Sequence, residues 1–400
     1  MPKLDLLLDG FIANGLVGCS LLVFKGNSEK YYYQTGFKDI ENKRSIRRDD
    51  IYRIYSMTKS IVCFGMMILI QKGKVSLDDS VANFIPELDD LEVYVSGKIT
   101  NQIVEKNRKE MTIKNLMTHQ AGLTYGSEIT PVHQLVHEKL WMNPETNLTL
   151  DSDDIIQKLK EIPLYYHPGE NWHYSIAIDV LGIVIERISK KTLNMFLEEN
   201  VFGPLGMKDT GFSIERDQVD RLTNLYKKLD SGYELVENNS ESLYLKNPLF
   251  FSGGGSYPLG LVSTIDDYMK YLNVLNNNGK SFDKIILNTK LIKEFIKSQT
   301  GNSSLDILEK NKRGDAFNFG NGSGLGHGLG GAVVTKPIES IFKSSPSGEF
   351  FWCGYAFTHF WIEPKERLSV VFMTQMANLY QTKFGNNMLI SLKDTIYNLF

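Results

Sequence analysis

Ser56 and Lys59 stand three residues apart where an apolar run begins, Ser56-Met57-Thr58-Lys59-Ser60-Ile61-Val62-Cys63-Phe64. Three residues along a helix return to the same face, so the Lys59 amine can reach the Ser56 hydroxyl. A serine hydroxyl is a poor nucleophile until a neighbour accepts its proton, and a desolvated amine does that. The start of a helix adds backbone N–H groups and a positive end, which favour developing negative charge. The same four residues could also be a capping serine followed by a solvated lysine. The setting argues for chemistry, because the run is apolar nearly all round and therefore buried, where an unpaired lysine is costly.

The elements that must hold this pair are readable in outline. Residues 16–36 form two short strands, LVGCSLLVFKG and KYYYQTG, joined at Asn27-Ser28. The helix that opens at Ser56 ends at Lys72-Gly73, a basic residue and a glycine being the usual stop. Helical periodicity returns at Asp179–Lys190 and Asp266–Asn278, and the Gly-rich stretch 252–256 punctuates the middle of the chain. Residues 349–375 read as strands, EFFWCGYAFTHFWIE and LSVVFMTQ about a Pro-Lys-Glu-Arg turn, and 384–399 as an amphipathic helix. Strand-forming ends around a helical middle predict an α/β unit with a sheet region from 1–75 and 311–400. A mainly helical region, 76–310, is inserted between them in one compact catalytic unit.

Ser-x-x-Lys is the arrangement of penicillin-binding proteins and serine β-lactamases. The surrounding residues 51–88 (IYRIYSMTKSIVCFGMMILIQKGKVSLDDSVANFIPEL) resemble the active-site region of the class C β-lactamase-like serine esterases. So do TIKNLMTHQAGLTYG, PLYYHPGENWHYSIAIDVLGIVIERISKKTL, VFGPLGMKDTGF, GGGSYPLGLVSTIDDYMKYL and GEFFWCGYAFTHFWIEPKERLSVVFMTQ, in order along nearly the whole chain. The resemblance implies the β-lactamase/penicillin-binding-protein-like fold, a mostly antiparallel sheet flanked by helices plus a helical region. It also implies Tyr174 as the second box, in Tyr174-Ser175-Ile176, where the family's frequent Asn at the third position is missing. Tyr174 would be the base, its phenol acidified by the Lys59 charge, although sequence leaves open which of Lys59 and Tyr174 is the formal base, because coupled groups titrate as a unit. For the third box Gly326-His327-Gly328 and Trp352-Cys353-Gly354 both compete. The Lys-Thr/Ser-Gly of β-lactamases is absent from the C-terminal half, and the esterases' Trp-x-Gly selects Trp352 and Gly354 as substrate-binding residues. The backbone N–H groups of Ser56 and Tyr355 would then form the oxyanion hole. Cys353, between Trp352 and Gly354, should alternate away from the cleft.

The expected activity is cleavage of small carboxylic esters, or transfer of their acyl group, through a Ser56 acyl-enzyme. A D-Ala-D-Ala carboxypeptidase or class C-like β-lactamase is the alternative, and a non-catalytic module of the same fold the third reading. The partner is a small-molecule ester or amide, with no cofactor and no metal. A net charge of −3 carries no basic patch for nucleic acid. Three scattered cysteines, Cys19, Cys63 and Cys353, suggest buried thiols. Asp5 and Asp9 interrupt the apolar N-terminal run, and the longest apolar stretch, 61–70, is too short to span a bilayer. A soluble, cytoplasmic protein is therefore expected.

Other patterns carry less. Gly326–Gly331 matches G-x-G-x-x-G, but a strand rather than a helix follows it. His133 and His137 lack the glutamate of a zinc peptidase motif. His119 reads as a loop brace. No G-x-S-x-G occurs, which argues against an α/β-hydrolase. The sequon Asn147-Leu148-Thr149 would matter only after export.

Overall fold

A computed structural model describes residues 2–126, 130–141, 149–246, 248–255, 260–281, 283–300, 324–336 and 342–400. The chain starts with helix α1, Pro2–Ala13, whose Leu4, Leu8 and Phe11 are buried one turn apart. Strand β1, Gly18–Lys25, turns at Gly26-Asn27 into β2, Ser28–Asp39. Both turn residues have positive φ, 61° and 65°, the geometry whose twist suits a two-residue hairpin. A short β3, Arg44–Ser45, continues the edge. Helix α2, Thr58–Gln71, follows the turn that carries Ser56, and every residue from Thr58 to Leu69 is buried. Helices α3, Ala177–Ser189, and α4, Ile265–Asn276, come from the middle of the chain. The C-terminal part supplies β4, Leu325–His327, β5, Ala332–Val334, β6, Phe350–Cys353, β7, His359–Glu363, β8, Leu368–Thr374, and helix α5, Lys383–Leu399.

These strands make one eight-stranded sheet in the order β4-β5-β6-β7-β8-β1-β2-β3. All of its pairings are antiparallel, with the N-terminal β1 lying beside the C-terminal β8, Cys19 opposite Thr374 and Lys25 opposite Leu368. The two ends of the sequence thus close one sheet. Alternation along β2 identifies what covers each face. Tyr31 and Tyr33 donate to Asp5 and Asp9 of α1. Tyr32, out of phase with them, lies under the Arg48 guanidinium, which pairs with Asp266 of α4. Helix α4 also packs on β8, β1 and β7, while α1 meets α5. The strands β6, β7 and β8 are buried along their whole length, as expected between two helical layers.

The region 76–310 carries short helices and also small β pairings, among them the hairpin Glu92–Lys98 with Asn101–Lys106. Its segment Val262–Ser263 pairs with Tyr52–Arg53 just ahead of Ser56. The expected boundary at 311 lies outside the described residues. Where the sequence suggested one long strand from 349, the structure has two. Residues 354–358 turn the chain back, so that Cys353 faces His359 and Phe350 faces Ile362. No helix among the described residues is long and apolar enough to cross a membrane.

Candidate active site

Ser56 lies in a 3₁₀ turn, Tyr55–Met57, that leads directly into α2. It is not a cap, since the helix has no side-chain cap bond and the Ser56 hydroxyl is engaged elsewhere. Tyr55, the residue before it, has φ 42°, in the left-handed region that costs a side-chain-bearing residue roughly 1–3 kcal/mol. Its backbone is wedged by Gly255, where a Cβ would lie 2.0 Å from the Tyr55 carbonyl oxygen. Its ring meets Tyr355 edge to face at 5.4 Å. These contacts fix the strained turn and with it the direction of the Ser56 side chain.

Three side chains meet at this point. Lys59 Nζ is 3.2 Å from Ser56 Oγ, and the Tyr174 phenol donates to Ser56 Oγ at 2.7 Å. Ser56 keeps 8% of its surface exposed and Lys59 only 1%. Burial brings the Lys59 ammonium down to about 7, against an opposing pull from Asp179. The amine is therefore substantially neutral near neutral pH and has a lone pair for the serine proton. Its nitrogen also donates to the Gly254 carbonyl and lies 4.7 Å over the Tyr174 ring.

Tyr174 corrects one expectation. Its phenol is not acidified by Lys59. Burial pushes it well above the ordinary tyrosine range, and the hydrogen bond with Ser56 opposes this only in part. A group so desolvated keeps its proton, which suits it to donate rather than to accept. The segment that delivers it is braced by His119. The backbone N–H of Ser175 donates to His119 Nδ1 at 3.3 Å and the N–H of His173 to the His119 carbonyl at 2.9 Å. The His119 ring lies 4.9 Å from that of Tyr174.

The structure brings both third-box candidates to the same wall. Trp352 lies 5.6 Å from the Tyr174 ring and 5.3 Å from His327, which in turn meets His119 at 5.3 Å. Gly354 abuts the turn that carries Ser56, since a Cβ there would lie 2.4 Å from the Ile54 carbonyl oxygen. Tyr355, next in the chain and 39% exposed, stands against Tyr55. Cys353 is buried, close to the Tyr380 hydroxyl, and burial pushes its thiol up to about 12.

The residues that sequence reasoning missed are Asp179, Gly254 and Tyr125. Asp179 is buried at the start of α3 and accepts from Ser252 Oγ at 2.6 Å and from the Gly254 N–H at 3.1 Å. Tyr125 lies 5.0 Å from the Tyr174 ring. An acidic residue in a first helical turn is ordinary. The signal available was that this one sits within an otherwise apolar run, Ala177-Ile178-Asp179-Val180-Leu181.

The patterns set aside are placed as follows. Gly326–Gly331 turns between β4 and β5, two strands. His133 faces His173, Nε2 to Nε2 at 3.3 Å, and not His137, which is exposed. Among the described residues no group of three or more His, Cys, Asp or Glu is placed to hold a metal. Asn147 and Leu148 lie outside the described residues.

Comparison with known proteins settles the family. The beta-lactamase family profile matches residues 4–394. The chain belongs to the beta-lactamase family. Within reach of it are Protein Rv1367c of Mycobacterium tuberculosis, 28% identical over 90% of this chain and 86% of that protein, and Esterase EstB of Burkholderia gladioli, 25% identical over 96% of this chain and 91% of that one. Among solved structures, simvastatin synthase (LovD) from Aspergillus terreus superposes with a TM-score of 0.81 at 19% identity, covering 99% of this chain and 98% of that one. That likeness shows the β-lactamase-type fold, as expected from the sequence.

Proposed function

We propose that this beta-lactamase family member is a serine hydrolase that cleaves, or transfers the acyl group of, small carboxylic esters. The observation that carries the reading is the meeting of Ser56 Oγ with Lys59 Nζ at 3.2 Å and Tyr174 OH at 2.7 Å, with the amine brought down to about 7. Ser56 Oγ attacks the ester carbonyl and its proton passes to Lys59 Nζ. The protonated Tyr174 phenol gives its proton to the departing alcohol and regains one from the Lys59 ammonium, so the two act as a pair. The carbonyl oxygen carries negative charge between the Ser56 and Tyr355 backbone N–H groups, where each donor is worth about 3 kcal/mol. Water, or an alcohol or amine acting as acyl acceptor, then releases the acyl group from Ser56 by the reverse sequence. Among the relatives, EstB supports an esterase.

Trp352 argues for a neutral substrate. By the resemblance it takes the place of the β-lactamases' lysine, and it supplies no positive charge there, being buried against Tyr174 and His327. Loss of one charge-assisted contact weakens recognition of a carboxylate by about 1.5–3 kcal/mol. The test is kcat/KM for p-nitrophenyl butyrate against a chromogenic cephalosporin on one preparation. The ester should be favoured by about tenfold or more. A cephalosporin value equal to or above the ester value would replace this reading with a β-lactamase or D-Ala-D-Ala carboxypeptidase.

A further inference from the structure

Lys59 does not end the chain of contacts that begins at Ser56. Its Nζ donates to the Gly254 carbonyl, and the N–H of the same glycine donates to Asp179 Oδ1 at 3.1 Å. Asp179 Oδ1 also accepts from Ser252 Oγ at 2.6 Å. Both ends of this chain are buried. Only glycine fits between them, because a Cβ at Gly254 would lie 2.1 Å from Asp179 Oδ2. Neighbouring glycines make room for the segment: a Cβ at Gly253 would lie 2.6 Å from the Ile178 carbonyl oxygen, and Gly255 packs on Tyr55. The carboxylate, the glycine backbone and the amine are thus held in line.

The charges around Lys59 single out Asp179. Those that reach the amine are Asp179, from α3, Cys63, one turn along α2, and Cys353, from β6. Burial pushes both thiols upward, so they stay protonated. His119, whose ring packs on Tyr174, is pushed well below its ordinary range by burial, so it stays neutral. Among the described residues the rings of Tyr125 and Tyr174 also border the amine.

Resting on the reading of Ser56 and Lys59 given above, we propose that Asp179 is a positioning residue for Lys59, acting through the backbone of Gly254. It orients the amine toward Ser56 and stabilises the ammonium that forms when Lys59 takes the serine proton. In that step the Ser56 Oγ–carbon bond forms, the carbonyl electron pair moves onto its oxygen, and the proton moves from Oγ to Nζ. The carboxylate does for this lysine what an aspartate does for the histidine of a Ser-His-Asp triad, with a glycine backbone interposed.

The test is the pH profile of kcat/KM for p-nitrophenyl butyrate from about pH 5 to about pH 9, whose acid limb reports the free enzyme's Lys59. Asp179→Asn keeps the shape and removes the charge. It should lower the plateau about tenfold to a hundredfold. It should also move the acid limb to lower pH, by about half a unit or more, because an ammonium without its counter-charge loses its proton sooner. Ser252→Ala keeps the charge and removes one donor that neutralises it, so its acid limb should move the other way, to higher pH. A lowered plateau with an unmoved limb in Asp179→Asn would make Asp179 merely structural and overturn the proposal. Should Asp179→Asn fail to fold, a Ser252→Ala limb that is unmoved or lowered overturns it alone. Phosphonate labelling of the parent protein keeps the two claims apart. Absence of label on Ser56 defeats the serine mechanism, whereas label on Ser56 with unmoved limbs defeats only the role of Asp179.

Discussion

A lysine that gives up its proton near neutrality is the residue on which the proposed chemistry turns. Lys59 must be neutral to accept the Ser56 proton, and burial places its midpoint at about 7. Activity on a neutral ester should therefore rise as pH increases through about 7 and level off above it, the direction expected of a base. A profile that falls over that range would mean the charged form is the active one. Stability follows the same sign. The unfolded chain holds the Lys59 proton up to its ordinary 10.5 and the folded chain releases it at about 7, so between these values this residue favours folding more as pH rises. Tyr174→Phe removes the hydroxyl that donates to Ser56 and changes little else in shape. Turnover should fall about a hundredfold with the melting temperature nearly unchanged, and an enzyme active within a few-fold of the parent would assign all proton transfer to Lys59. Ser56 and Lys59 could be paired from sequence because helix geometry brings i and i+3 together. Tyr174, 118 residues further on, could be found only by resemblance, because its contact is made by tertiary packing. Its protonation was misjudged because the Lys59 charge was weighed and the burial was not.

The elements that deliver these residues differ in how openly they announce themselves. Helix α2 is buried from Thr58 to Leu69 and starts within two residues of the expected position. Helices α3 and α4 lie within two residues of the expected starts. The turn at 354–358 was hidden, because Tyr355-Ala356-Phe357-Thr358 continues the apolar, β-favouring character of its flanks. Helix α1 was hidden for a different reason. Asp5 and Asp9 broke the pattern of an export signal, but four residues apart they share one helix face and accept from Tyr31 and Tyr33. The hidden turn bears on the proposed function, since it carries Tyr355 past Ser56. Gly354→Ala would set a Cβ 2.4 Å from both the Ile54 carbonyl oxygen and Thr358 Oγ1. It should push the turn away and cost about a hundredfold to a thousandfold in kcat, the effect of losing an oxyanion donor. Near-parental turnover in a folded Gly354→Ala protein would remove Tyr355 from the oxyanion hole.

At the scale of the molecule, both ends of the chain build one sheet, and the Ser56 turn sits where the middle of the chain packs against it. Residues 262–263 pair with 52–53 just before Ser56, Gly254 and Gly255 reach it from one side, and Gly354 from the other. The site therefore depends on the whole fold, which explains why its outer contacts could not be read from any one stretch of sequence. The order of elements indicated a mixed α/β body closed by the termini, and the resemblance implied its antiparallel sheet, but neither told which loops would meet at its edge. What tests the account most directly is the intact mass of the protein quenched during turnover of p-nitrophenyl butyrate, followed by peptide mapping. The account predicts one added butyryl group per chain, located on Ser56 and absent from Ser56→Ala. An acyl group on any other residue, or ester turnover that persists in Ser56→Ala, would contradict it.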